Sequence, residues 1–347
     1  MKASKVLIVD DSILMRQIIK GMVNSDKSFI IVGEAADGAE AIEKFKILDP
    51  DIVTLDIEMP KINGLISLQQ MLRIKTVPII IISAYSATGS KIALKALEFG
   101  AFDIIEKPSG SISIDITDKK DEILQKMHCA VKSNLNRILQ SLIISSDKIR
   151  EKVRQKTTAA NLVAIASSTG GPKTLMEIIP QIKSNINAGI SIVQHMPAGF
   201  TKSFSERLNS MSNLNVFESY DNCLLKNGDC VIAQGGRHIV FDENGVIHIS
   251  NDPPYHSVKP AADIMMLSAI KHYKNRIIGV VLTGMGKDGS EGVFIINKMG
   301  GINIAESKET SVVFGMPKAA IETGGINFVL DRDKIAEKIE ELTYEMD

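Results

Sequence analysis

Cysteine is scarce in this chain of 347 residues, and the three present are Cys129, Cys223 and Cys230. Their odd number and the lack of C-x-x-C spacing give no disulfide framework, and reduced thiols in a cytosolic protein are expected. Net charge is nearly absent: 40 Lys and Arg stand against 41 Asp and Glu. That argues against a nucleic-acid-coating surface and against an acidic tail. No apolar run reaches membrane-spanning length, and "MKASKVLIVDD" enters a charged, strand-like segment at once. Neither a signal peptide nor a membrane anchor is expected, and the location expected is cytoplasmic. Internal repeats and low-complexity tracts are missing too.

What is present is a 44% apolar chain, long enough for two ordinary domains with real cores. Over about the first 120 residues, apolar runs alternate with helical patterns. The strand candidates are "KVLIVD" (5–10), "FIIVGEA" (29–35), "DIVTLD" (51–56), "PIIIIS" (78–83) and "FDIIEK" (102–107). Continuous Ile/Val/Leu runs suit strands buried on both faces, and the alternation predicts a doubly wound, five-strand parallel domain. Ligands of such sheets bind beyond the carboxyl ends of the strands. Residues 121–143 read as helical, and 144–158 are polar and basic without an apolar stripe. The expected division is a first domain over 1–125, a helical and polar linker over 126–158, and a second domain over 159–347.

Five polar groups fall at strand ends in the first domain. Asp10 and Asp11 close the first strand, Asp56 the third, Ser83 the fourth and Lys107 the fifth. Taken singly, each is as well explained as a strand-end or helix-cap residue. Together they place three carboxylates at one sheet edge, a set suited to a hard divalent cation such as Mg²⁺. The hydroxyl and the ammonium there could hold the oxygens of a phosphoryl group.

This stretch resembles the response-regulator receiver domain, through "VDDS" (9–12), "LDIEMPKINGL" (55–65), "IISA" (81–84) and "GAFDIIEKP" (100–108). The resemblance implies that Asp56 accepts a phosphoryl group from a partner histidine kinase. It also implies that Asp10, Asp11 and Asp56 hold Mg²⁺, that Ser83 is the switch hydroxyl and that Lys107 contacts the phosphoryl group. The position three before the lysine, aromatic in the family, is Ile104.

A second βα series begins at "LVAIA" (162–166) and continues with "GISIVQ" (189–194) and "RIIGVVLTG" (276–284). Between the last two lies a β-rich insert holding "CVIAQ" (230–234) and a hairpin around Asn244-Gly245. A charged helix is expected near 332–346. The turn "IASSTGGP" could cradle a phosphate on a helix N-terminus. It matches neither GxGxxG nor GxxxxGK[ST], and "TGMGKDG" fails the second pattern as well. Nucleotide binding is therefore poorly supported. A nucleophile needs a base and an orienting acid. Ser168, His195 and Asp288 each follow a different strand of this series, at the edge where such sheets gather catalytic groups. Each alone could be structural; together they read as a Ser-His-Asp triad, which geometry defines rather than chain order. A helix-turn-helix regulator finds no basic helix here.

Residues from about 158 to 347 resemble the catalytic domain of the CheB family of chemotaxis protein-glutamate methylesterases. The motifs are "STGGP" (168–172), "QHMPAGFT" (194–201) and "LTGMGKDG" (282–289). The resemblance implies Ser168 as nucleophile, His195 as general base and Asp288 as its orienter. Backbone N–H groups of Thr169 and Met285 would serve as oxyanion donors. It further implies phosphorylation-activated hydrolysis of glutamate γ-methyl esters on methylated chemoreceptors, glutamine deamidation as a side activity, and no cofactor for hydrolysis. Two positions depart from the family pattern. Ala166-Ser167 stands where Gly-Ala is usual, and "KPAAD" (259–263) where Pro-Ser precedes Val-Asp.

Overall fold

A computed structural model describes residues 3–60, 63–83, 86–107, 114–133 and 157–346. The chain divides into two compact units, Met1–Leu142 and Ile143–Asp347.

The first unit carries strands β1 (Ser4–Val9), β2 (Phe29–Ala35), β3 (Ile52–Asp56), β4 (Ile79–Ser83) and β5 (Asp103–Glu106). They form one parallel sheet in the order β2-β1-β3-β4-β5. All five expected strands are there, with ends shifted by one residue at most. Val6 to Val9 and Ile79 to Ile82 are buried, which explains runs without polar alternation. Helices α1 (Ile13–Asn24), α2 (Gly38–Leu48), α3 (Gly64–Ile74), α4 (Ala87–Glu98) and α5 (Ile114–Lys132) connect and cover the strands. Side chains of Ser12, Asp37, Asn63 and Ser86 accept backbone N–H groups and start the first four helices. Each such cap is worth about 1 kcal/mol. Strand order reverses between β1 and β3, so a crevice opens where Asp10 and Asp56 stand.

The boundary expected at residue 125 falls inside α5. That helix continues to Lys132 and buries Ile123, Met127 and Ala130, so its apolar stripe belongs to the first unit. The rest of the expected linker, 134–156, lies outside the described residues, as does Pro108.

The second unit contains a seven-stranded parallel sheet and a three-stranded antiparallel one. Its strands are β6 (Leu162–Ser167), β7 (Gly189–Gln194), β8 (Asn215–Glu218), β9 (Cys223–Leu224), β10 (Asp229–Ile232), β11 (His238–Phe241), β12 (Val246–Ser250), β13 (Ile277–Val281), β14 (Ile302–Glu306) and β15 (Phe328–Leu330). The large sheet runs β15-β14-β13-β6-β7-β10-β8, and the small one β11-β12-β9. Its helices are α6 (Gly171–Ile178), α7 (Phe200–Met211), α8 (Ala262–Tyr273), α9 (Ser290–Lys298), α10 (Met316–Glu322) and α11 (Arg332–Glu345).

Two expectations change. "CVIAQ" belongs not to an insert but to the main sheet, since β10 pairs in parallel with β7 and β8. The hairpin of β11 and β12 is present, but Gly245 alone takes positive φ (78°). Asp242 and Val246 pair, and Gly245 N donates to Asp242 O, so the loop is a three-residue turn with a bulge. The core under the small sheet packs Phe241 edge-on to Tyr273, with centroids 5.8 Å apart, beside Met265, Met266 and Ile277. Cys223 and Cys230 are buried and unpaired, and burial pushes both thiols up.

Lys173, in the first turn of α6, is buried, and its Nζ has no hydrogen-bond partner among the described residues. Burial lowers its pKa to about 8. The unfolded chain therefore binds this proton more tightly than the folded one. Stability should rise with pH between about 8 and the ordinary lysine value of 10.5, where the folded amine has shed a proton that the unfolded chain still holds. Lys173→Met should remove that rise and lift Tm near neutral pH by a few degrees, on the order expected for 1 kcal/mol. Thermal melts of both proteins from pH 7 to 10 test this, and parallel pH profiles would contradict it.

Candidate active site

In the first unit, the strand ends converge as the sequence suggested. Asp10 and Asp56 are buried, and Asp11 is exposed beside them. One carboxylate oxygen from each lies within 4.8 Å of the others. Lys107 Nζ reaches Asp56 Oδ2 at 2.8 Å and Asp10 Oδ2 at 2.9 Å. Glu58 N donates to Asp56 Oδ1 at 3.1 Å. Burial raises the Asp56 carboxyl to about 6 against the pull of Lys107, and the Asp10 charge adds to the rise. Two acids at this spacing call for more positive charge than one ammonium, and an all-oxygen donor set suits Mg²⁺. Gly64 has a steric reason: a Cβ there would collide with the Asp56 carbonyl oxygen. Ser83 is buried at the end of β4, and its carbonyl accepts Lys107 N. Ile104 is buried in β5, a packed aliphatic rather than an aromatic switch.

In the second unit, β13, β6 and β7 are adjacent in the sheet. Asp288, Ser168 and His195 leave the carboxyl ends of those three strands. His195 Nε2 meets Asp288 Oδ2 at 2.8 Å. Two backbone donors from the start of α8 complete the acid's seat: Ala262 N to Oδ2 at 2.6 Å and Asp263 N to Oδ1 at 2.9 Å. Burial alone would push the Asp288 carboxyl up. The His195 hydrogen bond and these N–H groups outweigh it and hold the carboxyl below its ordinary value. Asp288 thus stays ionised. With Nε2 bound to the acid, Nδ1 is the ring nitrogen left to take a proton.

The turn after β6 needs both of its glycines. Gly170 has φ of 78°, and a Cβ there would meet Val312 Cβ at 2.6 Å. A Cβ on Gly171 would collide with Gln194 Oε1. Ser168 is half-buried, whereas Ser167 is fully buried. Ser167 Oγ donates to Gln194 Oε1 at 2.7 Å. The Gln194 amide then donates to the carbonyls of Ser168 and His195, both at 3.0 Å. The second hydroxyl is therefore part of a clamp joining the two strand ends.

Thr283 braces the other side. Its carbonyl accepts Ser168 N, its hydroxyl donates to Thr169 O, and its N–H donates to Glu306. Buried Arg332 pairs with Glu306 at 3.2 Å. Gly284 is pressed against Ser168 Cβ, 2.8 Å from where its own Cβ would stand. That contact places Met285, the next residue, in the loop beside Ser168. Sequence reasoning missed Gln194, Thr283, Glu306 and the α8 start, because each acts through a partner distant in the chain. His238 was missed as well: it accepts Ala261 N and donates to Pro253 O, fixing the approach to α8.

Comparison with known proteins fits this geometry. A family model described as CheB methylesterase matches residues 163–339, and one described as response regulator receiver domain matches residues 6–115. The protein-glutamate methylesterase/protein-glutamine glutaminase of Pyrococcus abyssi is 45% identical over 340 residues, covering 96% of this chain and 92% of that protein. The protein of the same name from Clostridium acetobutylicum is 40% identical, covering 98% and 97%. The crystal structure of the Thermotoga maritima CheB methylesterase catalytic domain superimposes with a TM-score of 0.51 at 46% identity, covering 52% of this chain and 98% of that one. With a receiver-type sheet ahead of a Ser/His/Asp sheet edge, the chain belongs to the CheB methylesterase family.

Proposed function

We propose that this protein hydrolyses glutamate γ-methyl esters on the cytoplasmic helices of chemoreceptors, releasing methanol, and that phosphorylation of Asp56 activates it. The observation that carries the hydrolytic reading is the buried, ionised Asp288 bound to His195 on the sheet edge that Ser168 shares. Ser168 Oγ attacks the ester carbonyl as His195 Nδ1 takes its proton, and Asp288 fixes the tautomer. The oxyanion faces backbone N–H groups of Thr169 and the Met285 loop. Thr169 N makes no hydrogen bond among the described residues, as such a donor should before substrate arrives. One oxyanion donor is worth about 3–4 kcal/mol of barrier. His195 returns its proton to the departing methoxide, and water then resolves the acyl-enzyme. A glutamine amide can follow the same course, with ammonia leaving.

On the first unit, Asp10, Asp11 and Asp56 would hold Mg²⁺, which when bound offsets the charge of an incoming phosphoryl group. A histidine kinase is the proposed donor, and Lys107 is positioned to meet the phosphoryl oxygens. Among the described residues no helix is long and apolar enough to cross a membrane. The proposed domain division is a receiver reaching through α5, a connection over 134–156 and a catalytic domain from about 157.

The paired serines test the hydrolytic reading. Ser168→Ala should abolish methanol release from methylated receptor membranes with little change in Tm. Ser167→Ala should keep most activity yet lose about 1–2 kcal/mol of stability, because the buried Gln194 Oε1 loses its donor. An inactive Ser167→Ala beside an active Ser168→Ala would reverse the assignment of the nucleophile.

A further inference from the structure

A second group of donors lies on the flank of the triad acid. His256, Asp263 and Glu291 each offer one ligand atom, and these atoms lie within 4.8 Å of one another. Asp263, in the first turn of α8, is completely buried. Its Oδ1 accepts Gly292 N from the first turn of α9 at 2.7 Å. Its Oδ2 has no hydrogen-bond partner among the described residues. Buried acceptors are nearly always satisfied, so an orphan carboxylate oxygen turned toward two other donors needs a reason. The polar group facing it is His256 Nε2, 3.5 Å away. That is beyond the 2.7–3.2 Å range of a formed N–H···O bond.

We propose that His256 Nε2, Asp263 Oδ2 and a carboxylate oxygen of Glu291 form a binding site for a divalent cation, and that the ion it suits is Zn²⁺. An imidazole with two carboxylates is a mixed nitrogen and oxygen set, which favours first-row transition ions over Mg²⁺. Zinc bonds of about 2.0–2.2 Å in a tetrahedron imply ligand separations of about 3.4 Å. The 3.5 Å between His256 and Asp263 matches that edge. Three protein ligands leave the fourth position to water. The site is also supported from the side. The Tyr255 hydroxyl donates to Glu291 Oε2 at 2.7 Å, and the Tyr255 ring packs on His256 with centroids 4.2 Å apart. Such outer hydrogen bonds orient metal ligands. His256 and Glu291 lie at the surface, so an ion has a way in.

The consequence reaches the triad. Asp263 N holds Asp288, and Asp263 Oδ1 holds the start of α9. An ion on Asp263 Oδ2 would tie the 255–258 loop to both helix starts and stiffen the seat of the triad acid.

The test uses the full-length protein, stripped with chelator and kept in excess Mg²⁺ so that the receiver carboxylates are filled. Zn²⁺ is titrated calorimetrically into wild type, His256→Ala and Glu291→Gln; both substitutions lie at the surface and leave the Asp263–Gly292 bond in place. Wild type should bind one more equivalent of Zn²⁺ than either variant, and Zn²⁺ should raise Tm in wild type alone. Co²⁺ should give visible d–d absorption in wild type that His256→Ala loses. Identical Zn²⁺ isotherms in all three proteins would overturn the proposal. So would a wild-type Tm that responds to pH but not to Zn²⁺, since the trio would then be an ion pair of His256 with Asp263.

Discussion

Asp288→Asn should lower turnover by about 10⁴ while the protein remains folded, on the scale seen when a triad loses its orienting acid. The geometry explains the size of the effect. Asp288 Oδ2 takes both the His195 Nε2 proton, at 2.8 Å, and Ala262 N, at 2.6 Å. An amide has only one acceptor oxygen, and two backbone donors compete for it. Its NH₂ group would then face either the α8 N–H groups or the imidazole. Facing the imidazole, it selects the tautomer with the proton on Nδ1, where Ser168 needs a base. The loss should therefore fall on kcat, with KM little changed, because Asp288 is buried and acts through His195. His195→Gln should cost as much or more. Initial rates of methanol release, with circular dichroism as the folding control, decide the matter. An Asp288→Asn protein with near-normal kcat would reduce Asp288 to a cap for α8.

The candidate site residues were legible because a parallel sheet announces its own edge. Each apolar run gives way abruptly to polar residues, with Asp10, Asp56, Ser83, Ser168 and His195 at or just past the strand ends, and the strand order needed no solving for that pattern to show. What supports those residues was hidden. Gln194 and Ser167 look like unremarkable polar neighbours until β6 and β7 pair, which puts Ser167 opposite Gln194. The "KPAAD" segment contributes backbone N–H groups and one buried carboxylate, which side-chain identity describes poorly. Strands fail for related reasons. β14 is not among the strand candidates, because its run is broken by Asn303 and Glu306, both buried, whose side chains bind neighbouring backbone and Arg332. β15 has three residues, too few for an alternating pattern. The Cys230 run pairs in the main sheet rather than in an insert, and strand length and composition say nothing about which neighbour a strand pairs with.

Asp56→Asn should abolish phosphate uptake altogether, from one equivalent per chain to none, and with it any rate increase produced by a phosphodonor. In the transfer, an Asp56 oxygen bonds to phosphorus as the bond from phosphorus to the donor's leaving group breaks. Lys107, 2.8 Å from Asp56, is placed to meet charge gathering on the phosphoryl oxygens. With Asp10, Asp11 and Asp56 so close, the negative charge exceeds what one lysine neutralises, so uptake should require Mg²⁺ and stop on chelation. Burial holds the free Asp56 carboxyl near 6, so without metal a fraction is protonated and unreactive at mildly acid pH. Mg²⁺ favours the ionised form and should move the acid limb of the uptake profile downward. A tenfold rise in methanol release needs only about 1.4 kcal/mol of bias toward the active state. The experiment supplies a radiolabelled small-molecule phosphodonor to wild type and Asp56→Asn, with Mg²⁺ or with chelator, and follows label and methanol together. Label on Ser83, or uptake that ignores Mg²⁺, would contradict the receiver reading. Full uptake on Asp56 with an unchanged methanol rate would leave the receiver chemistry intact and remove its control over the hydrolase.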